Sequence, residues 1–509
     1  MAIHLGLPVL TSKPTPRPHV GGLAWMLTLL AIAAWYFPFT ASARFAGFMA
    51  DDALYLLMAD FFSPFHPREP VLTYLRSMSH LPPFYSVVLG FLGAGSTRIA
   101  FAHVIQTTLM LAALHQITRL AEDILQDRTT ALLLLGGFAL APATLLFSTE
   151  IWSEFLYLLC ATTSILCLSR GNARARCWLA AAVFAGLAAI TRGSGIALIG
   201  ALLITAGIRK RQLFLPVAGV ALLPLIVVAS ARFGGSIDYL GIFRRKVGDP
   251  VVLGEVLVTN ATAIASGLLR SFALAPSLGL QLCGSVFGLA AMMGFYKRLG
   301  RCEFDGFYVI AYLGLILIWP FPEVVYRLVY PIVPLLMIYA CDGVKSATGA
   351  ARAGKVWARG LSILLLITVI TSSAPMLWKY VTSPLPAALA DFRASRYWLA
   401  EEDANVALRD IAAKQAMIRI MRQARDVVPV GACIYSLDPQ ATMLYSRHLS
   451  WPAETGANRA APLCRYHLLL SDNRFRQASA TLWPGYIVER VERTPEGVAA
   501  ILVRYPQKN

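Results

Sequence analysis

A chain of 509 residues that is 57% hydrophobic and only 14% charged, with a mean hydropathy of +0.60, lacks the composition of a soluble domain, where about 25% of residues carry charge. Its net formal charge of +17 is not gathered on one arm or face, as a nucleic-acid binder requires. The same numbers exclude a disordered chain, a collagen and a disulfide-rich secreted scaffold.

The elements follow in chain order. Residues 1–20 include the basic, Pro-rich stretch Thr11–Pro18 and read as a flexible cytoplasmic leader. Residues 21–41 are long and apolar enough to span a bilayer. No cleavage site follows them, so they are expected to be a retained span rather than a removed signal. Further apolar runs lie at 99–118, 129–148, 152–169, 176–191, 193–208, 212–231, 273–296, 306–321, 325–342 and 358–377. The run 81–95 opens with Pro82 and Pro83 and is shorter, which suits a re-entrant or interfacial segment.

Charge sets the orientation. With eleven spans, the clusters Arg170–Arg176, Arg209–Arg211, Lys297–Arg301 and Lys345–Arg359 all fall on the leader's side, as the positive-inside rule requires. A thirteen-span alternative adds crossings at 81–95 and 251–270 but leaves Arg170–Arg176 outside. In the eleven-span reading the segment 232–271, with Arg244, Arg245 and Lys246, is an outer loop, of a length that is often functional or partly helical.

Beyond about residue 380 charges become frequent and long apolar runs stop. The expected architecture is a mainly α, polytopic membrane helical bundle (21–380) followed by a mixed α/β extracytoplasmic domain (381–509). In that tail, 406–424 has helical periodicity. Residues 432–436 and 466–470 read as strands, and 486–492 with 498–505 as a hairpin. Six cysteines (Cys160, Cys167, Cys177, Cys283, Cys302 and Cys341) lie in or beside spans and read as small buried hydrophobes. No Cys-x-x-Cys pair suggests zinc. Cys433 and Cys464 can form one disulfide in an oxidising exterior, although sequence does not supply the required Cα distance.

Five polar clusters interrupt the apolar pattern. Asp51 and Asp52 follow the first span, with Tyr55 on the same helical face as either. A carboxylate in a membrane-side cleft can serve as a general base; the plainer reading is a helix start, where Asp suits the dipole. His80 and Tyr85 flank the paired prolines and read as substrate contacts or interfacial anchors. Glu150 and Glu154 are four residues apart at the start of a span, a repulsive spacing on a helix unless a cation or a hydroxyl-rich ligand meets them. Arg192 stands between two apolar runs beside Gly193 and Gly195, suited to gripping a phosphate or to snorkelling from a tight turn. Arg327 and Tyr330 precede Pro331 and Pro334, which free two helical carbonyls and leave an anion site or a simple kink. In the eleven-span reading all five clusters meet the outer face.

The order of these motifs resembles that of the GT-C membrane glycosyltransferases, the group that includes protein O-mannosyltransferases and the lipid A aminoarabinose transferase. The resemblance rests on Asp51, Asp52 and Tyr55, on His80 with Pro82 and Pro83, on Ser148 to Glu154, on Thr191 and Arg192, and on Arg327 to Pro334. It covers about residues 21–345, and the tail resembles the extracytoplasmic domain that many such enzymes carry. Two positions depart from the usual pattern: Asp51-Asp52 stands where Asp-Glu is more common, and a leucine separates His80 from the prolines.

The resemblance implies transfer of a sugar from a polyprenyl-phosphate donor to an extracytoplasmic acceptor (a lipid, a glycan or a protein), with inversion, in the bacterial inner membrane. Asp51 or Asp52, with Asp51 the first choice, would be the general base. Arg192 and Arg327 would hold the donor phosphate, and Glu150 or Glu154 would position the acceptor, the sugar or an arginine. No cofactor is required. Some such enzymes use a divalent metal, and Asp51-Asp52 is the pair that would bind one. No Gly-rich phosphate loop is present. The competing readings are a lipid or polysaccharide transporter or flippase, which predicts internal repeats that this sequence lacks, and an O-antigen ligase or polymerase using the basic 232–271 loop.

Overall fold

The computed structural model describes residues 22–47, 51–65, 81–171, 174–231, 250–273, 278–348, 351–452, 464–470, 486–494 and 497–504. Most helices of the bundle come from the apolar runs. They are α1 (Leu23–Ala41), α4 (Ile99–Leu125), the bent pair α5 (Arg128–Ala139) and α6 (Pro142–Ser148), α7 (Glu154–Gly171), α8 (Ala175–Thr191), α9 (Ile196–Arg209) and α10 (Phe214–Ser230). There follow α11 (Pro250–Phe272), α12 (Leu278–Gly300), α13 (Phe304–Leu317), α14 (Val325–Val329), α15 (Val333–Ala347) and α16 (Ala351–Thr382). Among the described residues six helices are long and apolar enough to cross a membrane, seven if the bent pair counts as one crossing. This is a multi-pass membrane protein.

Two short helices after α1 do not reach bilayer length: α2 (Asp52–Phe62) and α3 (Phe84–Phe91). The second lies in the run expected not to cross. The segment 232–271 divides at residue 250. Arg244, Arg245 and Lys246 lie outside the described residues, and the remainder is the helix α11, one of the six long and apolar enough to cross; this corrects the eleven-span reading of an outer loop and matches the crossing that the thirteen-span alternative adds at 251–270. Asn260 pins α11 to the end of α13 by donating to the Leu317 carbonyl at 2.9 Å and the Trp319 carbonyl at 2.8 Å.

The basic clusters gather at one end of the bundle. Arg170 pairs with Asp123 at 2.5 Å, Lys297 with Asp342 at 2.8 Å, Arg298 with Asp305 at 2.7 Å and Arg359 with Asp127 at 2.8 Å. Glu154 begins α7 at the opposite end, and the tail packs there.

The tail contains α17 (Arg396–Leu399), α18 (Ala404–Val427) and α19 (Pro439–Ser446) against a five-stranded sheet. Its strands are β1 (Cys433–Ser436), β2 (Leu449–Pro452), β3 (Tyr466–Leu470), β4 (Ile487–Thr494) and β5 (Gly497–Arg504), in the order β2-β1-β3-β5-β4. β1 runs parallel to β2 and β3, and β4 with β5 form the expected antiparallel hairpin. Asp403 caps α18 by accepting from the Asn405 amide at 2.8 Å. Cys433 and Cys464 form a disulfide with a Cα separation of 4.9 Å.

Several contacts clamp the tail onto the first loop. The Tyr445 hydroxyl donates to the Ala46 carbonyl at 2.7 Å and accepts from its amide at 3.0 Å. Gly47 has φ +106°, and a Cβ there would meet Ala441 Cβ at 3.0 Å, so both conformation and space favour glycine. Phe45 stacks on Phe392 at 4.3 Å. Arg447 reaches Asp60 at 3.2 Å and also donates to Ser96. Phe45, Ala46 and Gly47 are thereby held against the tail.

Candidate active site

Asp51 is the N-cap residue of α2, and its backbone carbonyl accepts from the Tyr55 amide at 2.9 Å. The side chain leaves the helix and meets Arg327 Nη1 at 2.5 Å. Arg327 also donates through Nε to Glu154 Oε1. Glu154 Oε1 in turn lies 2.6 Å from Arg192 Nη1. Four charged residues from four places in the chain thus form one connected network. Glu154 is fully enclosed, and the side chains of Arg192, Arg327 and Asp51 are 9%, 11% and 17% exposed. Two carboxylates balance two guanidinium groups, which is what burial demands of ionised side chains.

Local structure explains each placement. Arg192 ends α8 in extended conformation, and a 3-10 turn from Gly193 to Gly195 follows. A Cβ at Gly195 would come within 2.6 Å of the Ala188 backbone, so that turn closes onto α8 only with glycine. Arg327 lies in α14, whose five residues pass into a 3-10 turn at Tyr330–Ile332 because Pro331 and Pro334 interrupt the helical ladder. Trp152 supports the guanidinium, with its ring centroid 4.0 Å from Arg327 Cζ.

Glu150 and Glu154 do not share a helix face. α6 ends at Ser148, residues 149–153 form a buried loop, and Glu154 begins α7. The repulsion expected from an i,i+4 pair therefore does not arise. Glu154 joins the arginines, while Glu150 is 2% exposed and its Oε1 has no hydrogen-bond partner among the described residues. Burial, and next the charge of Asp52, push the Glu150 carboxyl up to about 8. Asp52 is itself 1% exposed, with Oδ1 accepting from the Ala53 amide at 2.9 Å.

The aromatic candidates separate into groups. The Tyr55 hydroxyl meets Ser153 Oγ at 2.9 Å, against the network's loop. Tyr85 donates to Gln106 Oε1 at 2.7 Å, and Gln106 donates to the Trp152 carbonyl at 2.9 Å, so Tyr85 braces that loop from behind. Tyr330 points away, its hydroxyl 2.9 Å from Thr144 and its ring stacked on Phe138. His80 lies outside the described residues. Sequence reasoning missed Trp152, Gln106 and the contributions of the tail. Gln106 had a signal, as a polar residue inside an apolar run. Arg396 reaches the bundle from the tail, donating to the Tyr326 hydroxyl at 3.2 Å, and lies within electrostatic reach of Glu150.

The arrangement can do definite chemistry. Two buried arginines present planar donors suited to a phosphate, and a carboxylate beside them can accept a proton. Among the described residues, no group of three or more His, Cys, Asp and Glu is arranged to hold a metal ion.

Solved structures with the same arrangement of helices decide the fold. The crystal structure of ArnT from Cupriavidus metallidurans bound to undecaprenyl phosphate superposes with a TM-score of 0.52, covering 95% of this chain and 98% of that one at 12% identity. Its apo form gives 0.51 at 14% identity, covering 94% and 98%. The chain has the GT-C fold. The archaeal oligosaccharyltransferase AglB from Archaeoglobus fulgidus, in complex with an inhibitory peptide and a dolichol-phosphate, aligns at 0.48 and 12% identity over 84% of this chain. This chain spans 65% of the length of AglB. No family model matches the sequence, and no curated protein does. In this chain the loop after α1 and the start of α7 lie at the end of the bundle that the tail covers.

Proposed function

We propose that this protein is a membrane glycosyltransferase that moves a sugar from a polyprenyl-phosphate donor to an acceptor hydroxyl outside the cytoplasm. The observation that carries the reading is the buried network of Asp51, Arg327, Glu154 and Arg192. It combines paired cationic donors for a phosphate with an adjacent carboxylate for a proton. The GT-C fold supports it, since ArnT is solved with undecaprenyl phosphate.

In the proposed reaction the donor phosphate enters between Arg192 and Arg327 and competes with the carboxylates for their N–H groups. Arg327 turns from Asp51 toward the phosphate, leaving Asp51 Oδ2 to accept the acceptor's hydroxyl proton. The acceptor oxygen bonds to the anomeric carbon as the bond from that carbon to the phosphate oxygen breaks. The arginines stabilise the charge gathering on the leaving polyprenyl phosphate. Glu154 keeps both arginines oriented throughout. The domains follow the same reading: 21–380 is the membrane-embedded catalytic part and 381–509 the extracytoplasmic part, in a bacterial inner membrane. The Cys433–Cys464 disulfide fits an oxidising exterior.

The test is release of free polyprenyl phosphate from a panel of polyprenyl-phosphate sugars by the purified protein, run with lipid, glycan and protein acceptors. Release that the Asp51→Asn/Asp52→Asn double variant lacks supports the reading and names donor and acceptor. No release from any donor, or equal release by the double variant, refutes it.

A further inference from the structure

The ion network leaves unexplained a second group of buried polar residues beside it. Glu150 and Trp152 belong to the same loop, and both are nearly inaccessible, at 2% exposure each. Glu150 Oε1 and Trp152 Nε1 have no hydrogen-bond partner among the described residues. Two unsatisfied buried groups of opposite hydrogen-bonding character in one short loop are costly to maintain. Such a cost is expected where a ligand completes the bonding.

The surroundings of this loop define the chemistry such a ligand must have. Glu150 lies within electrostatic reach of Asp52, of Arg396 and of Arg327. Tyr397, adjacent to Arg396 in α17, lies within reach of Glu150, Asp52 and Asp438. Arg396 and Tyr397 are both only partly buried. Ser395 caps α17 by accepting from the Trp398 amide at 3.2 Å, and Arg396 is fastened to the bundle through Tyr326. The tail thus brings a guanidinium and a phenol within electrostatic reach of two bundle carboxyl groups, beside the loop that carries the Trp152 indole.

This mixture differs from the arginine pair next door. It holds acceptors and donors in comparable number, and no excess of cations would attract a second phosphate. Alternating donors and acceptors with aromatic edges suit a neutral ring bearing several hydroxyl groups. Its position suits the same ligand, because a sugar bonded to the phosphate held by Arg327 must lie in the adjoining space.

We propose that Asp52, Glu150 and Trp152 of the bundle, with Arg396 and Tyr397 of the tail, line one subsite that holds the sugar ring of the lipid donor. The inference rests on the transferase reading and extends it: the tail supplies part of the donor site and helps to choose the sugar. Asp51 and Asp52 then divide their work, the first serving the phosphate and the proton, the second the ring.

The experiment compares binding of bare undecaprenyl phosphate with a panel of undecaprenyl-phosphate-linked hexoses and pentoses, using the full chain in lipid nanodiscs. The wild-type protein is expected to bind at least one glycosylated lipid about tenfold tighter than the bare lipid, the yield of one or two well-made hydrogen bonds. Glu150→Gln, Tyr397→Phe and Arg396→Gln should each reduce that preference while bare-lipid affinity stays unchanged. Arg396→Lys should retain part of it. Unchanged bare-lipid binding also reports that each variant is folded.

The proposal is overturned if the wild-type protein prefers no glycosylated lipid, if the variants weaken both lipids equally, or if they alter only the KM of the acceptor. The transferase reading fails by a different result: bare undecaprenyl phosphate that does not bind, or that binds equally to Arg327→Ala.

Discussion

The Asp51 carboxylate and the Arg327 guanidinium meet at 2.5 Å across 276 residues of chain. The pair is enclosed, and Arg327 is shared with Glu154. Removing Arg327 therefore leaves two carboxylates without their common cation. Breaking a buried pair by deleting one partner typically costs about 3–5 kcal/mol. Arg327→Ala is expected to lower the unfolding temperature of the detergent-solubilised protein and to abolish donor use. Arg327→Lys keeps the charge without the planar fork, so it should preserve folding and lose less transfer. Equal, full activity of both variants would remove Arg327 from the site.

Asp51→Asn keeps the shape of the side chain and removes its basicity. Loss of a general base typically costs about 10²–10⁴ in rate, so transfer should fall by that order with little change in the amount of folded membrane protein. Asp52→Asn, measured beside it, should act mainly on donor KM. A fully active Asp51→Asn variant would end the assignment of Asp51 as base.

The docking of the tail should matter to catalysis as well as to stability. Tyr445→Phe removes both hydrogen bonds to Ala46, leaving buried main-chain groups unsatisfied at a cost of about 1–3 kcal/mol. Trypsin should then cut the tail faster, and kcat should fall because the backbone approaching Asp51 is less constrained. Wild-type proteolysis kinetics would show that this clamp is dispensable.

Stability should depend on pH with a definite sign. Glu150 titrates at about 8 in the folded protein because of burial and the Asp52 charge, with Arg396 and Arg327 opposing. An unfolded glutamate titrates near 4.3. Between those values the folded state holds the extra proton, so stability falls as pH rises from about 4 to about 8 and then levels. Asp438, raised to about 7 mainly by burial, slopes the same way. Glu150→Gln should reduce the fall in unfolding temperature over that window, and Glu150→Gln with Asp438→Asn should nearly remove it. An unchanged slope in the double variant would refute the assignment.

The sequence was most legible where one local feature dictates one structure. Apolar length marked the long helices, and Pro331 marked the break after Arg327. Short apolar runs marked β1 and β3, and the Thr-Pro-Glu-Gly turn signal marked the hairpin of β4 and β5. β2 escaped because it has four residues, ends in Pro452 and lies at the sheet edge, where pairing owes little to its own pattern. Spacing also misled at Glu150 and Glu154, since nothing local reveals that α6 stops at Ser148. The convergence of Asp51, Glu154, Arg192 and Arg327 was suggested only by their common side of the membrane. Arg396 and Tyr397 gave no signal, because they reach the bundle through the docking of a whole domain.

The charge balance among Asp51, Glu154, Arg192 and Arg327 has a kinetic meaning. Each cation is already engaged, so an incoming molecule must displace an internal carboxylate before it can be held. A neutral lipid, or water alone, offers Arg327 nothing stronger than the partner it has. In the proposed reaction a phosphate makes the exchange, and in doing so it frees Asp51 to act as base. On that proposal the resting protein is latched, and the substrate's own anionic group is the key.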